Sequence, residues 1–250
     1  MKAHCCPLVR TAEHCLLCFR DSTGKRPLET PRVLKLAYRR PLASCGGPPY
    51  LAGMCNDYEQ HVAWGEYREL MRRLELTVPA QQSELDLPTA DDIKIGDSGP
   101  VMRRAGDMVE LAPMRFGFPP ANPRSRPVFN FRSEGRKFAE SKRCLVPASA
   151  FFEFTGKKYP KAKHRFKLQN APFMAIASLW RDGQGNQPPS FAMLTTAPGP
   201  DVAPYHNRQV VVLRPEDWAS WIHLTKPEAE LPRPLSAGSL DVQTVRPGSD

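Results

Sequence analysis

The sequence predicts an α+β fold: a single domain with a mainly antiparallel β core and a few peripheral helices. Short apolar segments bounded by Gly, Pro, Asn and Asp recur between residues 108 and 213, which is typical of β-strands. Two other segments have the residue spacing or the terminal residues of helices. The composition, 41% hydrophobic and 24% charged, is that of an ordinary globular protein with a sizeable core.

The first convincing element is a helix that follows Tyr58. Apolar residues recur there at helical spacing with charged residues between them: Val62, Tyr67, Leu70, Met71 and Leu74. Residues 79–100 come next, and they are polar and contain proline. We expect this second stretch to form a surface loop.

The apolar segments that follow are predicted strands. They cover residues 108–114, 128–132, 144–154, 164–168, 173–180, 191–196 and 210–213. A second helix is predicted at 215–222, because Pro215 suits the first helical position and Glu216 and Asp217 interact favourably with the helix dipole. These elements together place one domain at residues 54–247.

Residues 1–53 have a different character from the rest of the chain. They show no periodicity, are interrupted by prolines, and carry nine Lys or Arg against three acidic residues, which is +6 of the formal net charge of +9. Five of the seven cysteines lie there, but the pair Cys15 and Cys18 has no second Cys/His pair at zinc-site spacing, so we expect no metal. The segment is predicted to be a disordered leader or a mis-assigned start.

No segment of the sequence has the character of a membrane span or a secretion signal. No apolar run approaches the ~20 residues that cross a bilayer. The run CLLCF at 15–19 is too short for a signal peptide. We therefore expect a cytoplasmic protein with no membrane partner.

Glu153 is the first candidate for acid–base chemistry. It lies between Phe152 and Phe154, and aromatic neighbours disfavour the charged form of a carboxylate by desolvation. A glutamate in such surroundings can give and take protons near neutral pH. The alternative is that strand alternation puts Glu153 on a solvated face while Phe152 and Phe154 point inward.

Two further polar stretches contain candidates. Asn130 and Arg132 are two residues apart and share one side of a predicted strand, where an amide and a guanidinium could hold a phosphate or a carboxylate. The alternative is an exposed strand face. His206 precedes the apolar run 210–213 in a loop, and it is either a proton-transfer group with a partner or an incidental loop histidine.

The order of these motifs resembles one family, the SOS response-associated peptidase (SRAP) group, also known as abasic-site processing proteins. No single motif is specific, but the ordered set is, and it covers nearly all of 54–247. The motifs are Met54-Cys55, MRFGFPP at 114–120, NFRSE at 130–134, RCLVPASAFFEF at 143–154, AIASLW at 175–180, MLTTAP at 193–198 and HNRQVVVL at 206–213.

The resemblance implies an SRAP-like fold and a reaction at the cysteine. In that reaction an N-terminal cysteine captures the aldehyde of a ring-opened abasic deoxyribose as a five-membered thiazolidine. The α-amine has a pKa near ~8 rather than the ~10.4 of lysine, so it is substantially neutral at physiological pH and can attack the aldehyde. Because the nitrogen of an internal Cys55 is an amide, we expect translation to begin at Met54 or the leader to be removed.

The resemblance also implies roles for individual residues. Cys55 is the catalytic residue, His206 assists proton transfer, Glu153 is a general acid/base, and Asn130 holds the sugar or the Cys55 terminus. Phe116 and Phe118 stack on bases or pack in the core. Arg132 binds flanking phosphates, with weaker candidates for the same role at Arg115, Arg143 and Arg208.

The implied partner is single-stranded DNA containing abasic sites, bound by a monomer that is nucleoid-associated when on DNA. No cofactor or metal is implied. An associated abasic-site lyase activity is part of this expectation. Two alternatives stay open: a thiol or glutamate peptidase that acts on its own leader, and a non-catalytic single-strand binding module whose affinity falls with salt.

Overall fold

The computed structural model describes residues 56–122 and 124–250, and for Glu228 the backbone alone. The predicted leader at 1–53 and the predicted catalytic Cys55 lie outside the described residues. None of the helices in the described part is long and apolar enough to cross a membrane.

The described residues form thirteen strands, two α-helices and two short 3₁₀ turns. The helices are α1 Trp64–Arg73 and α2 Pro215–His223, and the turns are Glu84–Asp86 and Glu228–Glu230. The strands are β1 Asp57–Gln60, β2 Ala90–Lys94, β3 Ser98–Ala105, β4 Met108–Phe116, β5 Asn130–Arg132, β6 Arg143–Ala148, β7 Ala150–Thr155, β8 Ala162–Leu168, β9 Met174–Arg181, β10 Ser190–Thr196, β11 Gln209–Val210, β12 Val212–Leu213 and β13 Leu240–Arg246.

Five of the strands close into a barrel in the order β10-β4-β3-β6-β9, because β9 also pairs with β10. The long β3–β4 hairpin runs in register from Ser98 opposite Arg115 to Ala105 opposite Met108. Three short strands extend the barrel: β5 and β11 pair with β10, and β12 pairs with β9. The only parallel pairs between the strands given above are β10 with β4 and β10 with β5. The predicted α+β class with a mainly antiparallel β core is therefore confirmed.

The remaining strands form a second sheet in the order β13-β8-β7-β1-β2. The chain passes from the barrel to this sheet at Ser149, between β6 and β7. The single strand predicted at 144–154 is therefore two strands in two sheets. Pattern alone could not divide it, since both halves are almost continuously buried.

Two clusters of buried side chains hold these layers together. The barrel–helix core joins the barrel to α1 and α2, and includes Tyr67, Met71, Leu145, Leu194, Trp218 and Trp221. The barrel–sheet core joins the barrel to the second sheet, and includes Tyr58, Phe116, Phe151, Phe166, Met193 and Val210. Glu153 and Asn130, two of the candidate catalytic residues, lie on the side of the second of these cores.

Both predicted helices are confirmed, and their ends have physical causes. Helix α1 buries Tyr67, Leu70 and Met71, with the acidic Glu66 in its first turn. Helix α2 has Pro215 at its start and ends at Leu224, which adopts the left-handed conformation common after a helix.

The prediction of a surface loop at 79–100 is wrong in its second half. That segment contains β2 and the start of β3, neither of which was predicted. The strands β1 and β13 were also not predicted. These strands carry little apolar signal: β2 reads ADDIK with only Ile93 buried, and β13 is exposed along most of its length. Pairing with neighbours, which a single sequence does not display, defines them.

Candidate active site

Glu153 faces the interior of the protein. It lies in β7 with only 2% of its surface exposed, directly opposite His164 of β8. Alternate residues of a strand share a face, so Glu153 lies on the side of Phe151, whose ring stacks on Phe166 with centroids 4.9 Å apart. Phe152 faces the other way, beneath the Lys163 ammonium at 3.6 Å from its ring. The alternative of a solvated Glu153 is therefore wrong.

His164 connects the Glu153 strand to its neighbours. Its Nε2 lies 2.7 Å from Thr155 Oγ1 and its Nδ1 lies 3.0 Å from Thr244 Oγ1. Burial lowers the pKa of His164, which favours the neutral ring that donates one of these bonds and accepts the other. The ring of Tyr205 packs on that of His164 with centroids 4.6 Å apart, and so brings the 199–206 turn against β8.

The turn that carries His206 is held at several points. The backbone N–H groups of Ala203 and His206 donate to the carbonyls of Gly199 and Val202. The Asp201 carboxylate accepts from two N–H groups at the start of β13, at 2.9 and 3.0 Å. A side chain on Gly199 would approach a backbone carbonyl at 2.7 Å, so only glycine fits there. His206 therefore occupies a well-anchored position.

The geometry of His206 is compatible with two tautomers. Its Nδ1 lies 3.1 Å from the backbone N of Arg208 and 2.9 Å from the backbone O of the same residue. Nδ1 accepts from the N–H in one tautomer and donates to the carbonyl in the other. Nε2, which has no hydrogen-bond partner among the described residues, is then a donor or an acceptor respectively.

Arg208 ties the His206 turn to the end of β5. Its guanidinium donates to both oxygens of Glu134, at 2.5 and 2.9 Å, and to the carbonyl and hydroxyl of Thr195. These bonds lower the pKa of the Glu134 carboxyl. Only 13% of the Arg208 side chain is exposed, because the pair lies across the end of β10. Two separate sequence motifs, NFRSE and HNR, thus meet through one ion pair.

Asn130 and Arg132 lie on the same side of β5 as the barrel–sheet core. In the parallel pairing with β10, Asn130 aligns with Met193, a residue of that core, whereas Phe131 aligns with Leu194 of the barrel–helix core. Asn130 is half-buried and Arg132 is exposed, with no ion pair among the described residues. Asn130 and Glu153 therefore face the same core, one from the barrel and the other from the second sheet.

The beginning of β1 completes the surroundings of Glu153. β1 runs antiparallel to β7, with Tyr58 opposite Phe151 and Glu59 opposite Ala150, so its N-terminal end runs towards the Glu153 half of β7. Asp57 forms an ion pair with Lys163 at 2.9 Å, and Asp92 binds the same ammonium. Burial raises the pKa of Asp57 to about 6 despite the lysine. The residue two positions before Asp57 is Cys55, which the described residues do not include.

Cys144 is the one cysteine of the described part of the chain, and it is fully buried in β6. Burial raises the pKa of its thiol, so the thiolate that would act as a nucleophile is disfavoured. The same part of the chain contains no group of three or more His, Cys, Asp or Glu side chains arranged to hold a metal ion.

The structure places several of the predicted DNA-binding residues inside the fold. Phe116 has no exposed surface and stacks on Phe191 at 5.1 Å, so neither face is open to a base. Arg143 is buried and donates to the Trp221 carbonyl at 2.7 Å. These two residues pack inside the fold, where the predicted contacts with DNA cannot form.

Phe118 is also buried, and two other predicted DNA-binding residues form local hydrogen bonds. Phe118 is 2% exposed and packs on Phe131 with centroids 5.7 Å apart. Arg115 is half-buried, with its guanidinium 3.3 Å from Gln187 Oε1. Arg208 is occupied by Glu134, as described above. Of the four arginines predicted to bind DNA, Arg132 is thus the only exposed one.

The sequence alone predicts no role for Glu134, His164 or Tyr205. Glu134 and Tyr205 belong to stretches that attracted attention, NFRSE and PYHNR, yet their partners lie 74 and 41 residues away in the chain. His164 is a single histidine in a strand that contains three Lys or Arg residues. Only the pairing of β7 with β8 indicates its importance, and no local pattern reports that pairing.

The chain matches the family model described as SOS response associated peptidase (SRAP) over residues 54–247. It is 33% identical over 93 residues to the abasic site processing protein YoqW of Bacillus subtilis (strain 168), and 32% identical to YobE of the same organism. Each match covers 35% of this chain, and the matched stretch spans 41% of YoqW and 42% of YobE, less than half of either relative.

Solved structures share the fold. One from Bordetella bronchiseptica superposes with a TM-score of 0.56 at 23% identity, covering 77% of this chain and 100% of the other. One from Bacteroides thetaiotaomicron gives 0.57 at 18% identity, covering 77% and 92%. At these identities the likeness establishes the architecture alone.

Proposed function

Because the chain belongs to the SOS response associated peptidase family, we propose that it processes abasic sites in single-stranded DNA by a covalent bond through Cys55. One observation carries the proposal: buried Glu153 lies beside the N-terminal end of β1 and is linked through His164 and Tyr205 to the turn that holds His206. Two relatives are named abasic site processing proteins, which supports the choice of substrate.

The reaction requires Cys55 to be the first residue of the working protein. Its α-amine attacks the aldehyde carbon of the ring-opened sugar, and the resulting carbinolamine loses water to give an imine. The Cys55 thiol then adds to the imine carbon while its proton passes to the nitrogen, which closes the thiazolidine. The net change is two new bonds to the former aldehyde carbon and the release of one water molecule.

The described side chains suit the proton transfers of this reaction. A buried carboxylate such as Glu153 can take a proton from the α-ammonium group, which frees the amine for attack, and return that proton to the hydroxyl that leaves as water. His206 can donate or accept at Nε2, depending on its tautomer. Asn130 would hold the sugar or the amino terminus, and exposed Arg132 would bind a flanking phosphate.

The chain connection is short enough for this geometry. Cys55 precedes Asp57 by two residues, and two residues span at most about 7 Å. Continued two residues beyond Asp57, the antiparallel register of β1 and β7 would bring Cys55 to the Glu153 half of β7. Buried Cys144 offers no competing thiol among the described residues.

A second candidate function is a peptidase that removes the residues before Cys55. The family description names a peptidase, and the covalent reaction needs a free α-amine that an internal cysteine lacks. Both candidates use Cys55 and Glu153 but differ in substrate, a peptide bond in one case and an aldehyde in the other. Accumulation of full-length chain in a Glu153→Gln variant would favour the peptidase.

The test compares two proteins, one expressed from Met54 and one from Met1. Each is incubated with a single-stranded oligonucleotide that contains one abasic site and is run on a denaturing gel. The Met54 protein should give a shifted band that survives denaturation, and the Met1 protein should give one only after its leader is lost.

The matched variants are Cys55→Ala and Cys144→Ala, which remove one thiol each. The band should disappear in Cys55→Ala and persist in Cys144→Ala, because only the first removes the proposed nucleophile. A band that persists in Cys55→Ala would contradict the proposal. If the parent protein binds DNA but gives no such band, its function is that of the non-catalytic single-strand binding module.

A further inference from the structure

Two ion pairs connect β1 to β8 across β7, the strand that carries Glu153. The second sheet has the order β13-β8-β7-β1-β2, so β7 lies between the two connected strands. Lys163 of β8 binds Asp57 of β1 at 2.9 Å. Arg165 of β8 binds Glu59 of β1, with its Nε 2.9 Å from a carboxylate oxygen. Neither the family match nor the proposed reaction assigns these pairs a role.

Both pairs lie on the face of the second sheet that is turned away from the barrel. Tyr58, which stands between Asp57 and Glu59 in β1, belongs to the barrel–sheet core, and successive side chains of a strand point to opposite faces. Lys163 crosses β7 on this outer face, where its ammonium lies 3.6 Å from the centre of the Phe152 ring. The attraction between cation and ring holds the lysine side chain over β7.

The ammonium of Lys163 binds a third strand as well. Asp92 of β2, on the far side of β1, accepts a hydrogen bond from it. The Lys163 and Asp57 side chains are only 13% and 4% exposed, so solvent and salt weaken this pair less than a surface pair. Burial disfavours the charged lysine, but the bonds to Asp92 and Asp57 outweigh it and raise the pKa of Lys163. We call the contacts of Lys163 with Asp57, Asp92 and Phe152 the Lys163 bridge.

The Lys163 bridge acts on the part of β1 that is nearest to Cys55. Among the described residues, the backbone pairing of β1 with β7 covers Tyr58 and Glu59, so Asp57 lies beyond its end on the side of Cys55. At that point the bridge holds β1 beside the strand of Glu153. The Arg165 pair, in contrast, acts on Glu59, which is four residues from Cys55 and inside the paired part.

We propose that Lys163 is a positioning residue for the reaction: by fixing Asp57, it sets the place of Cys55 relative to Glu153. The inference rests on the proposed function for the chemistry at Cys55. Lys163 itself makes no bond to the substrate, because its ammonium is held by two carboxylates on the opposite face of β7 from Glu153. A misplacement of about 1 Å can cost about 10²-fold in rate, so a contact that fixes the reacting residue affects the rate without touching the substrate.

The test measures the single-turnover rate of covalent capture against the concentration of an abasic single-stranded oligonucleotide, with protein expressed from Met54. The variant is Lys163→Met, which keeps an unbranched side chain over Phe152 and removes the charge. The matched control is Arg165→Met, which removes the other pair between β1 and β8. Lys163→Arg restores the charge and serves as the conservative variant.

Lys163→Met should lower the rate at saturating DNA by about 10- to 100-fold and leave the half-saturating DNA concentration unchanged. Arg165→Met should keep the parent rate, and Lys163→Arg should recover at least part of it. A merely structural role would affect Lys163→Met and Arg165→Met alike. An unchanged rate in Lys163→Met, or an equal loss in Arg165→Met, would overturn the inference.

Hydrogen exchange of the full chain examines the bridge without DNA. Lys163→Met should speed exchange in the peptide that contains residues 56–58, and Arg165→Met should not. Unchanged exchange in Lys163→Met would also overturn the inference. Thermal melting verifies that each variant is folded, and Asp57→Asn/Lys163→Met, which removes both charges of the pair, serves if Lys163→Met is not. If the parent gives no covalent band, the proposed function fails, and hydrogen exchange alone decides whether Lys163 holds β1.

Discussion

The environment of Glu153 decides what this residue can do. The flanking phenylalanines correctly indicated that Glu153 is removed from solvent. They lie on the opposite face of β7, however. The side chains that bury Glu153 are Phe151, Phe166 and those of the barrel beneath them. A sequence shows which residues are neighbours along a strand, and not which face of that strand is covered. The candidate was therefore predictable, whereas its orientation was not.

Glu153→Gln should slow covalent capture by about 10²- to 10⁴-fold, the usual range for loss of a positioned acid–base group. Glutamine keeps the shape and removes the proton transfer. The measurement is the single-turnover rate of band formation across pH, with DNA affinity as the control. An unchanged rate and pH profile would remove Glu153 from the mechanism.

Phe116→Ala should cost about 3–5 kcal/mol of unfolding free energy, because a fully buried ring stacked on Phe191 is replaced by a cavity. Leu85→Ala is the control, since Leu85 is 85% exposed and its truncation should change little. Chemical denaturation of both variants measures the difference. A stable Phe116→Ala protein with weakened DNA binding would contradict the packing role and restore the base-stacking one.

At the scale of elements, the site depends on strand pairings that join distant parts of the chain. β7 positions Glu153, β8 supplies His164, β13 supplies Thr244, and the turn before β11 supplies His206. The turn and several strands were predictable from Gly, Pro and apolar runs. The pairing order and the strands β1, β2, β3 and β13 were not. The residues of β1, β2 and β13 are mostly polar, and β3 begins within the segment that was expected to be a loop.

His164 should make the protein less stable in acid. Its pKa is lowered in the folded state by burial, so the unfolded chain takes up the proton first as the pH falls below about 6.5, and unfolding is favoured until the folded-state pKa is passed. His164→Gln should lack this contribution. Because the pKa of His223 is also lowered, the quantity to measure is the difference in unfolding free energy between parent and variant from pH 8 to pH 5. A difference that stays constant as the pH is lowered from 8 to 5 would contradict this role of His164.

The described part of the chain combines a closed barrel, a five-stranded sheet and two α-helices, with the candidate site facing the core between barrel and sheet. The sequence predicted the fold class and both helices from periodicity and turn residues. It could not predict the barrel, whose closure depends on pairing between β9 and β10 and on the split of one apolar run into β6 and β7. The separation of residues 1–53 from the domain stays a prediction, since they lie outside the described residues.

The proposed function requires that Cys55, as the first residue, captures an abasic aldehyde. Intact-mass spectrometry of the product formed with an abasic oligonucleotide, followed by peptide mapping, tests it most directly. The expected mass is that of the protein beginning at Cys55 plus the oligonucleotide minus one water, with the modification on Cys55. An adduct on a lysine, or an adduct of equal yield on protein that retains the residues before Cys55, would contradict it.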